Sequence, residues 1–373
     1  MPSPERQAAA RAGATLEIDL AAIAANWRRL RKAVGKGVRL GAVVKADGYG
    51  LGAARVAPAL AKAGCELFFV ASLDEGLSLR RAMPRAEIAI FEGLPRGSEG
   101  EFARARLLPV LNDLGQVDAW RRFAGRGRAR RGAVLHLDTG MQRLGLSRAE
   151  TARLVDEPAR LDGIALAAIM SHLACSDEPE HPKNPEQLAR FRAALAKLPR
   201  APASLASSSG IFLGPDYHFD IVRPGAALYG INPLPGKANP MQPVVRLNAR
   251  ILQVRDVDAG ETVGYGATHR LDRPSRVATI AVGYADGWLR SGSERGGAAI
   301  AGQRVPVIGR ISMDLVTLDV TGIDARLARA GGSVELLGRH QSVDEAAEAA
   351  NTIGYEFLTL LGRRYARIYR GMR

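Results

Sequence analysis

Cysteine is almost absent from this chain. Cys65 and Cys175 are the only two in 373 residues. A single disulfide would be a weak staple in a protein of this size, and neither residue sits in metal-ligand spacing, so reduced thiols and no metal site are expected. Aromatic residues make up 5% of the chain. No run of about 18 apolar residues occurs, so no membrane-spanning helix is expected. Met1 to Ala14 carries charges and alanines but no apolar core, which argues against a secretory signal and for a cytoplasmic location. Acidic residues are outnumbered 38 to 52, for a net charge of +14, and only seven of the basic residues are lysines. The dense arginine cluster at Arg121 to Arg131 includes Phe123 but carries no nucleic-acid-binding signature, so a nucleic-acid partner is not expected. The charge instead favours small anionic ligands.

What is present reads as two domains. The length exceeds one ordinary core, and the apolar (47%) and charged (24%) fractions are those of a globular protein. A loose tail is expected over residues 1–13. From 14 to 240, eight short apolar runs alternate with helical patterns: 38–45, 67–71, 87–92, 107–111, 133–138, 165–172, 204–207 and 219–223. A helix over 20–34, capped by Asp19, precedes the first. Eight strand–helix units argue for a (β/α)8 barrel rather than an open doubly wound sheet. After the Pro/Gly/Asn-rich stretch 232–240, glycine-separated alternating runs predict a mostly β domain over 241–373, with a short helix at 342–350.

The polar residues gather at one end of this predicted barrel. The first strand runs into Lys45, where a lysine is costly unless it is paired, neutralised or covalently used. It is either a Schiff-base lysine or an ion-paired, snorkelling one. The fifth strand leads into Asp138 and Arg143, the sixth into His172, the seventh into Ser208, and the eighth into Arg223-Pro224-Gly225-Ala226. Active sites of such barrels lie at these strand ends, and the last two loops are the usual phosphate site. Ser208 offers a hydroxyl, and Gly225 and Ala226 offer unobstructed backbone N–H groups.

Eight segments together resemble the alanine racemase family over nearly the whole chain: AVVKADGYGLG (42–52), LDTGMQRLG (137–145), MSHLACSDE (170–178), FDIVRPGAALYGINPL (219–234), VGYGATH (263–269), VGYADG (282–287), GRISMDLVTLDV (309–320) and IGYEFLT (353–359). The resemblance implies a barrel enzyme that uses pyridoxal phosphate to interconvert L- and D-alanine for peptidoglycan. It implies Lys45 as cofactor lysine and base on the D-alanine face, and Tyr265 as base on the L-alanine face. The tyrosine is donated across a head-to-tail homodimer and is linked through His172 to Arg223 at the pyridine nitrogen. Tyr49, Ser208, Tyr355 and the Gly225–Ala226 backbone would hold the phosphate. Arg143 and the Met313 N–H would meet the substrate carboxylate, with Tyr284, Tyr355 and Asp314 at the entrance. Both free side chains that act as bases titrate near pH 10, so both must be lowered to work near neutrality.

One position departs from the family. Many members carry a carbamylated lysine seven residues before the carboxylate-binding arginine, and this chain has His136 there. No modified lysine is expected in the barrel; a chloride, a water or Asp138 would orient Arg143. The alternatives are a broad-specificity racemase, a non-catalytic pyridoxal-phosphate-binding barrel protein, and a related decarboxylase.

Overall fold

The computed structural model describes residues 4–125 and 130–371. The ends of the chain, and with them part of the expected tail, lie outside the described residues, as does the middle of the arginine cluster. The chain divides into two compact units, one of residues 23–242 and one of residues 1–22 with 243–373.

The first unit is the barrel. Nine parallel strands follow one another in order, from Arg39–Leu40 and Ala42–Val43 through Leu67–Val70, Glu87–Ile90, Leu108–Leu111, Arg131–His136, Ile164–Met170 and Ala203–Ser204 to Ile221–Val222. The first two are halves of one strand broken at Gly41. Its first half pairs with the last strand and its second half with Leu67–Val70, so the sheet closes on itself as eight staves. Gly41 is where it bends. A Cβ there would come within 2.9 Å of the Phe69 ring and 3.2 Å of Leu67 O. The middles of the staves are apolar, with Phe68, Ile88, Val110 and Leu135 fully buried, as a sheet covered by helices requires. The expected (β/α)8 barrel and mostly β C-terminal region are therefore found.

The other unit is built on the long strand Val245–Val257, which is antiparallel to Ala14–Asp19, Ser275–Ile280 and Ser333–Leu337. Gly297–Ile300, Gln303–Pro306, Val316–Asp319 and Ala366–Arg370 extend the sheet. Residues 14–22 thus differ from the expectation that placed them with the barrel. Ala14, Leu16 and Ile18 point into this sheet's core, and the strand pairs on both edges, with Val245–Val257 and Ala366–Arg370. Nor are residues 4–11 a loose tail: Pro4–Arg11 is helical, and Arg250 Nη2 donates to Ala10 O at 2.5 Å. Asp19 does cap the next helix, Leu20–Ala33, its Oδ1 accepting the Ala22 N–H at 2.9 Å. Ser342 and Glu345 form a capping box on Val343–Ala349.

Candidate functional site

The first barrel strand ends at Val43, and buried Val44 and half-buried Lys45 follow. The chain then turns through five consecutive left-handed residues, Ala46 (φ 52°), Asp47 (52°), Gly48 (66°), Tyr49 (54°) and Gly50 (78°). A left-handed non-glycine residue costs about 1–2 kcal/mol, so three of them need compensation. The turn's own ladder supplies part of it: Gly48 N donates to Val44 O at 2.9 Å, Gly50 N to Ala46 O at 2.7 Å and Gly52 N to Asp47 O at 2.7 Å. Asp47 Oδ1 accepts the Ala53 N–H at 2.8 Å, and Glu75 Oε1 accepts the Ala46 N–H at 2.7 Å. No pattern of residue types marks the left hand of this turn.

The Lys45 ammonium lies 6.0 Å from the Phe91 ring centroid. Burial foremost, and then the Arg143 guanidinium, hold its pKa below the ordinary lysine value, while Glu75 and Glu92 oppose the shift. An amine so placed has more of its free base at neutral pH than a surface lysine has.

After the neighbouring last stave, Gly225 and Ala227 donate N–H bonds to Ser208 Oγ at 3.0 and 3.2 Å. The hydroxyl so held rigid organises the loop after the last strand. A Cβ on Gly225 would stand 2.2 Å from Tyr49 Oη, so Tyr49 reaches directly over this backbone. Tyr49 is positioned by stacking on Tyr229 (centroids 4.5 Å apart), and Tyr229 Oη in turn donates to Val43 O at 3.1 Å. Tyr229 had no role in the sequence reading. Its fellow residues in GAALYG look like ordinary core, and only the fold puts it under Tyr49.

Arg223 is buried and has no carboxylate partner among the described residues. It does not pair with Asp220, which instead accepts the Ala203 N–H. Arg223 Nη1 donates to Ser204 Oγ, and Nη2 donates to Ser171 O at 2.7 Å. Burial pulls its pKa down to about 9, so it still carries charge at neutral pH. His172 is pushed down to about 3, by burial first and then by Arg223 and Arg143. It is a neutral imidazole in any ordinary buffer. Gln187, fully buried, ties the surroundings together: Nε2 donates to His172 O at 2.9 Å and to Thr139 Oγ1 at 3.2 Å, while Oε1 accepts the Ala174 N–H.

His136 is also neutral, pushed down to about 4 by burial and Arg223. Asn112 Nδ2 donates to Phe91 O at 3.0 Å, which turns Asn112 Oδ1 to His136 Nδ1 at 2.8 Å. His136 therefore donates from Nδ1 and keeps a bare lone pair on Nε2. Exposed Arg143 follows on a loop whose backbone is organised by Asp138. Its Oδ1 accepts N–H bonds from Gly140, Met141 and Gln142 at 2.7, 2.9 and 3.2 Å. Asp138 acts on the loop and forms no ion pair with Arg143 among the described residues. His136, Asp138, Arg143, Ser171 and His172 line one small cavity.

The remaining candidates belong to the β unit. Tyr265 is 71% exposed, on a turn bent by Gly264 (φ 78°) and Gly266 (φ 73°). Tyr284 and Met313 lie on adjoining turns, where Tyr284 N donates to Ser312 O and Ala285 N to Met313 O, both at 3.0 Å. Asp314 is joined to this pair by a residue that sequence reasoning missed. Arg364 Nη1 donates to Asp314 Oδ1 at 2.6 Å, and its Nε and Nη2 grip both oxygens of buried Asp286 at 2.6 and 2.7 Å. Tyr355, on the helix Gly354–Leu360, is part-exposed. No motif marks an arginine 50 residues downstream of its partner, so nothing in the sequence pointed to Arg364.

Of the residues singled out from sequence, Lys45, Tyr49, Arg143, His172, Ser208, Arg223, Gly225 and Ala226 thus converge on the barrel's C-terminal rim. What gathers there is an amine of lowered pKa, a rigid serine–backbone cradle and a buried, charged guanidinium. This set suits a ligand with both an aldehyde and a phosphate. Among the described residues no cluster of histidine, cysteine and acidic side chains could hold a metal ion.

Comparison with known proteins gives consistent results for both units. The model of the alanine racemase N-terminal domain matches residues 18–233, and that of the alanine racemase C-terminal domain matches residues 244–369. The chain is 50% identical over 364 residues to an alanine racemase of Rhodospirillum rubrum, covering 97% of each chain. It is 51% identical over 363 residues to a catabolic alanine racemase of Mesorhizobium japonicum, covering 97% of this chain and 94% of the relative. The crystal structure of an alanine racemase from Bartonella henselae, with covalently bound pyridoxal phosphate, is similar with a TM-score of 0.93 and 42% identity. It covers 96% of this chain and 100% of that one.

Proposed function

The chain belongs to the alanine racemase family, and on that premise we propose that it interconverts L- and D-alanine with pyridoxal phosphate bound to Lys45 and with Lys45 and Tyr265 as its two bases. The observation that carries this reading is the Lys45 amine, lowered in pKa by burial and Arg143, on the same rim as the Ser208–Gly225 cradle. The residues present fit the cofactor. Lys45 would hold its aldehyde carbon. Tyr49, Ser208, Tyr355 and the Gly225–Ala226 backbone would hold its phosphate, and Arg223 its ring nitrogen. When bound, the cofactor supplies the electron sink that spreads the negative charge left at Cα on proton removal.

The chain's own residues do the rest. Lys45 takes or returns the Cα proton on one face. Tyr265 does so on the other, so the carbon inverts without turning over. Arg143, on the loop that Asp138 shapes, and the Met313 N–H receive the substrate carboxylate. Tyr284, Tyr355 and Asp314 narrow the entrance and so favour a small side chain. Neutral His172 relays between the Tyr265 hydroxyl and Arg223. Tyr265 comes from a second copy in a head-to-tail homodimer. Supporting this, Tyr265, Tyr284, Met313, Ile353 and Tyr355 all leave apolar surface exposed in the β unit.

We place the enzyme in the cytoplasm, supplying D-alanine to peptidoglycan. No helix of the described residues is long and apolar enough to cross a membrane. The catabolic relative, 51% identical, favours a second reading, removal of alanine. A deletion strain that grows without added D-alanine would select it. The reaction itself is tested by a coupled assay in both directions. Lys45→Ala is expected to abolish turnover and Tyr265→Phe to cut it by at least ~100-fold. A Tyr265→Phe protein racemising at parental speed would remove the two-base assignment.

A further inference from the structure

Glu75 occupies the third position of the helix Leu73–Ala82, whose N-cap is Ser72. A glutamate there usually folds back onto the backbone N–H of its own N-cap. Glu75 reaches elsewhere. Its Oε2 accepts the N–H of Ala71, one residue before the N-cap, at 2.8 Å, and its Oε1 accepts the N–H of Ala46 at 2.7 Å. Ala71 follows the second barrel strand and Ala46 follows Lys45, so one carboxylate ties the ends of two adjacent staves together. Ala46 is also the first of the five left-handed residues. The bond therefore falls where the chain leaves the strand and begins its least favourable turn.

We propose that Glu75 is a positioning residue for Lys45: its carboxylate clamps the backbone immediately after the lysine and thereby sets the direction in which the amine enters the barrel mouth. This rests on the reading of Lys45 as the cofactor lysine. Two consequences follow from the geometry. The clamp holds the cofactor-bearing side chain in one orientation, because the Ala46 N–H cannot turn away without losing a charge-assisted hydrogen bond. The negative charge of the carboxylate also favours the protonated form of the Lys45 nitrogen. The other groups acting on that nitrogen are Arg143 and Glu92, with His172, neutral at working pH, and the Phe91 ring nearby. Glu75 is the larger of the two acidic influences that favour the protonated amine.

The test uses the holoenzyme loaded with pyridoxal phosphate, without substrate. Borohydride reduction and peptide mapping locate the cofactor, and a pH titration of its visible absorption band reports the proton affinity of the linked nitrogen. In Glu75→Gln the shape is kept, the charge is lost, and an NH2 group meets one of the two backbone donors. The label is expected to stay on Lys45 while the titration midpoint falls by about one pH unit, since removing a nearby anion disfavours the protonated form. In Glu75→Asp the charge is kept but the side chain is too short to span both N–H groups. Its midpoint is expected to stay near the parental value while the cofactor dissociates about tenfold faster, as losing one charged hydrogen bond would produce. Label on Lys45 with parental midpoint in Glu75→Gln, or parental dissociation in Glu75→Asp, overturns the proposal alone. Absence of label from Lys45 in the parent overturns the cofactor reading and this proposal with it. A solely structural Glu75 would lower the unfolding midpoint and leave the visible titration unmoved.

Discussion

Replacing Gly225 with alanine adds one methyl group at the point where the cradle is tightest. The φ at this residue is −123°, so the cost lies in space and not in left-handed backbone. The new Cβ would stand 2.2 Å from Tyr49 Oη, 3.0 Å from Tyr49 Cζ and 3.3 Å from Val43 Cβ. The Val43 backbone is locked in the barrel, its N–H donating to Pro224 O at 2.9 Å, so Tyr49 must be the group that yields. Swinging its ring away gives up stacking on Tyr229, worth about 0.5–1.5 kcal/mol. Overpacking a rigid site adds about 1–3 kcal/mol. Gly225→Ala should therefore destabilise the barrel by roughly 2–4 kcal/mol in urea unfolding and weaken retention of pyridoxal phosphate. Tyr49→Phe removes the atom nearest the methyl, so the double variant should recover about 1 kcal/mol relative to the sum of the single changes. Strictly additive effects, or a Gly225→Ala protein within about 0.5 kcal/mol of the parent, would refute the packing argument.

His172 and His136, both held neutral chiefly by desolvation, predict an acid-labile barrel. Their folded pKa values, about 3 for His172 and about 4 for His136, lie below the unfolded value of 6.5, so the unfolded chain binds more protons below that pH. Stability is complete above pH 6.5 and falls as the pH drops towards those values; His136→Gln should flatten the urea-midpoint profile in that window by up to one proton, about 1.4 kcal/mol per pH unit. Arg364→Met strands the buried Asp286 carboxylate. Because Arg364 is itself half exposed, the expected loss is roughly 1–3 kcal/mol, read by urea unfolding, with a raised alanine KM if the Tyr284 and Met313 turns loosen. Gly287→Ala combines a left-handed φ of 84° with a Cβ only 2.0 Å from Leu360 O. It should cost roughly 3 kcal/mol or more, and a parental thermal midpoint would contradict that geometry.

Much of the architecture was legible because burial imposes local patterns. Continuous apolar runs such as LFFV read as buried staves, and helical periodicity between them leaves few closed arrangements. The strand Ala14–Asp19 was not anticipated, because its neighbours in the sheet are more than two hundred residues away. The chemistry-bearing residues of the rim could be listed from the strand ends alone, since each closes an apolar run. Their surroundings could not. The bond from Glu75 to Ala46, the stacking of Tyr229 under Tyr49 and the grip of Arg364 on Asp286 all join residues far apart in sequence, and no residue pattern marks the hand of the run after Lys45. Residue type and spacing are properties of the chain and determine which groups exist and which faces they occupy. Hydrogen-bond partners, excluded volume and desolvation are properties of distance, and distance is settled only when the staves close.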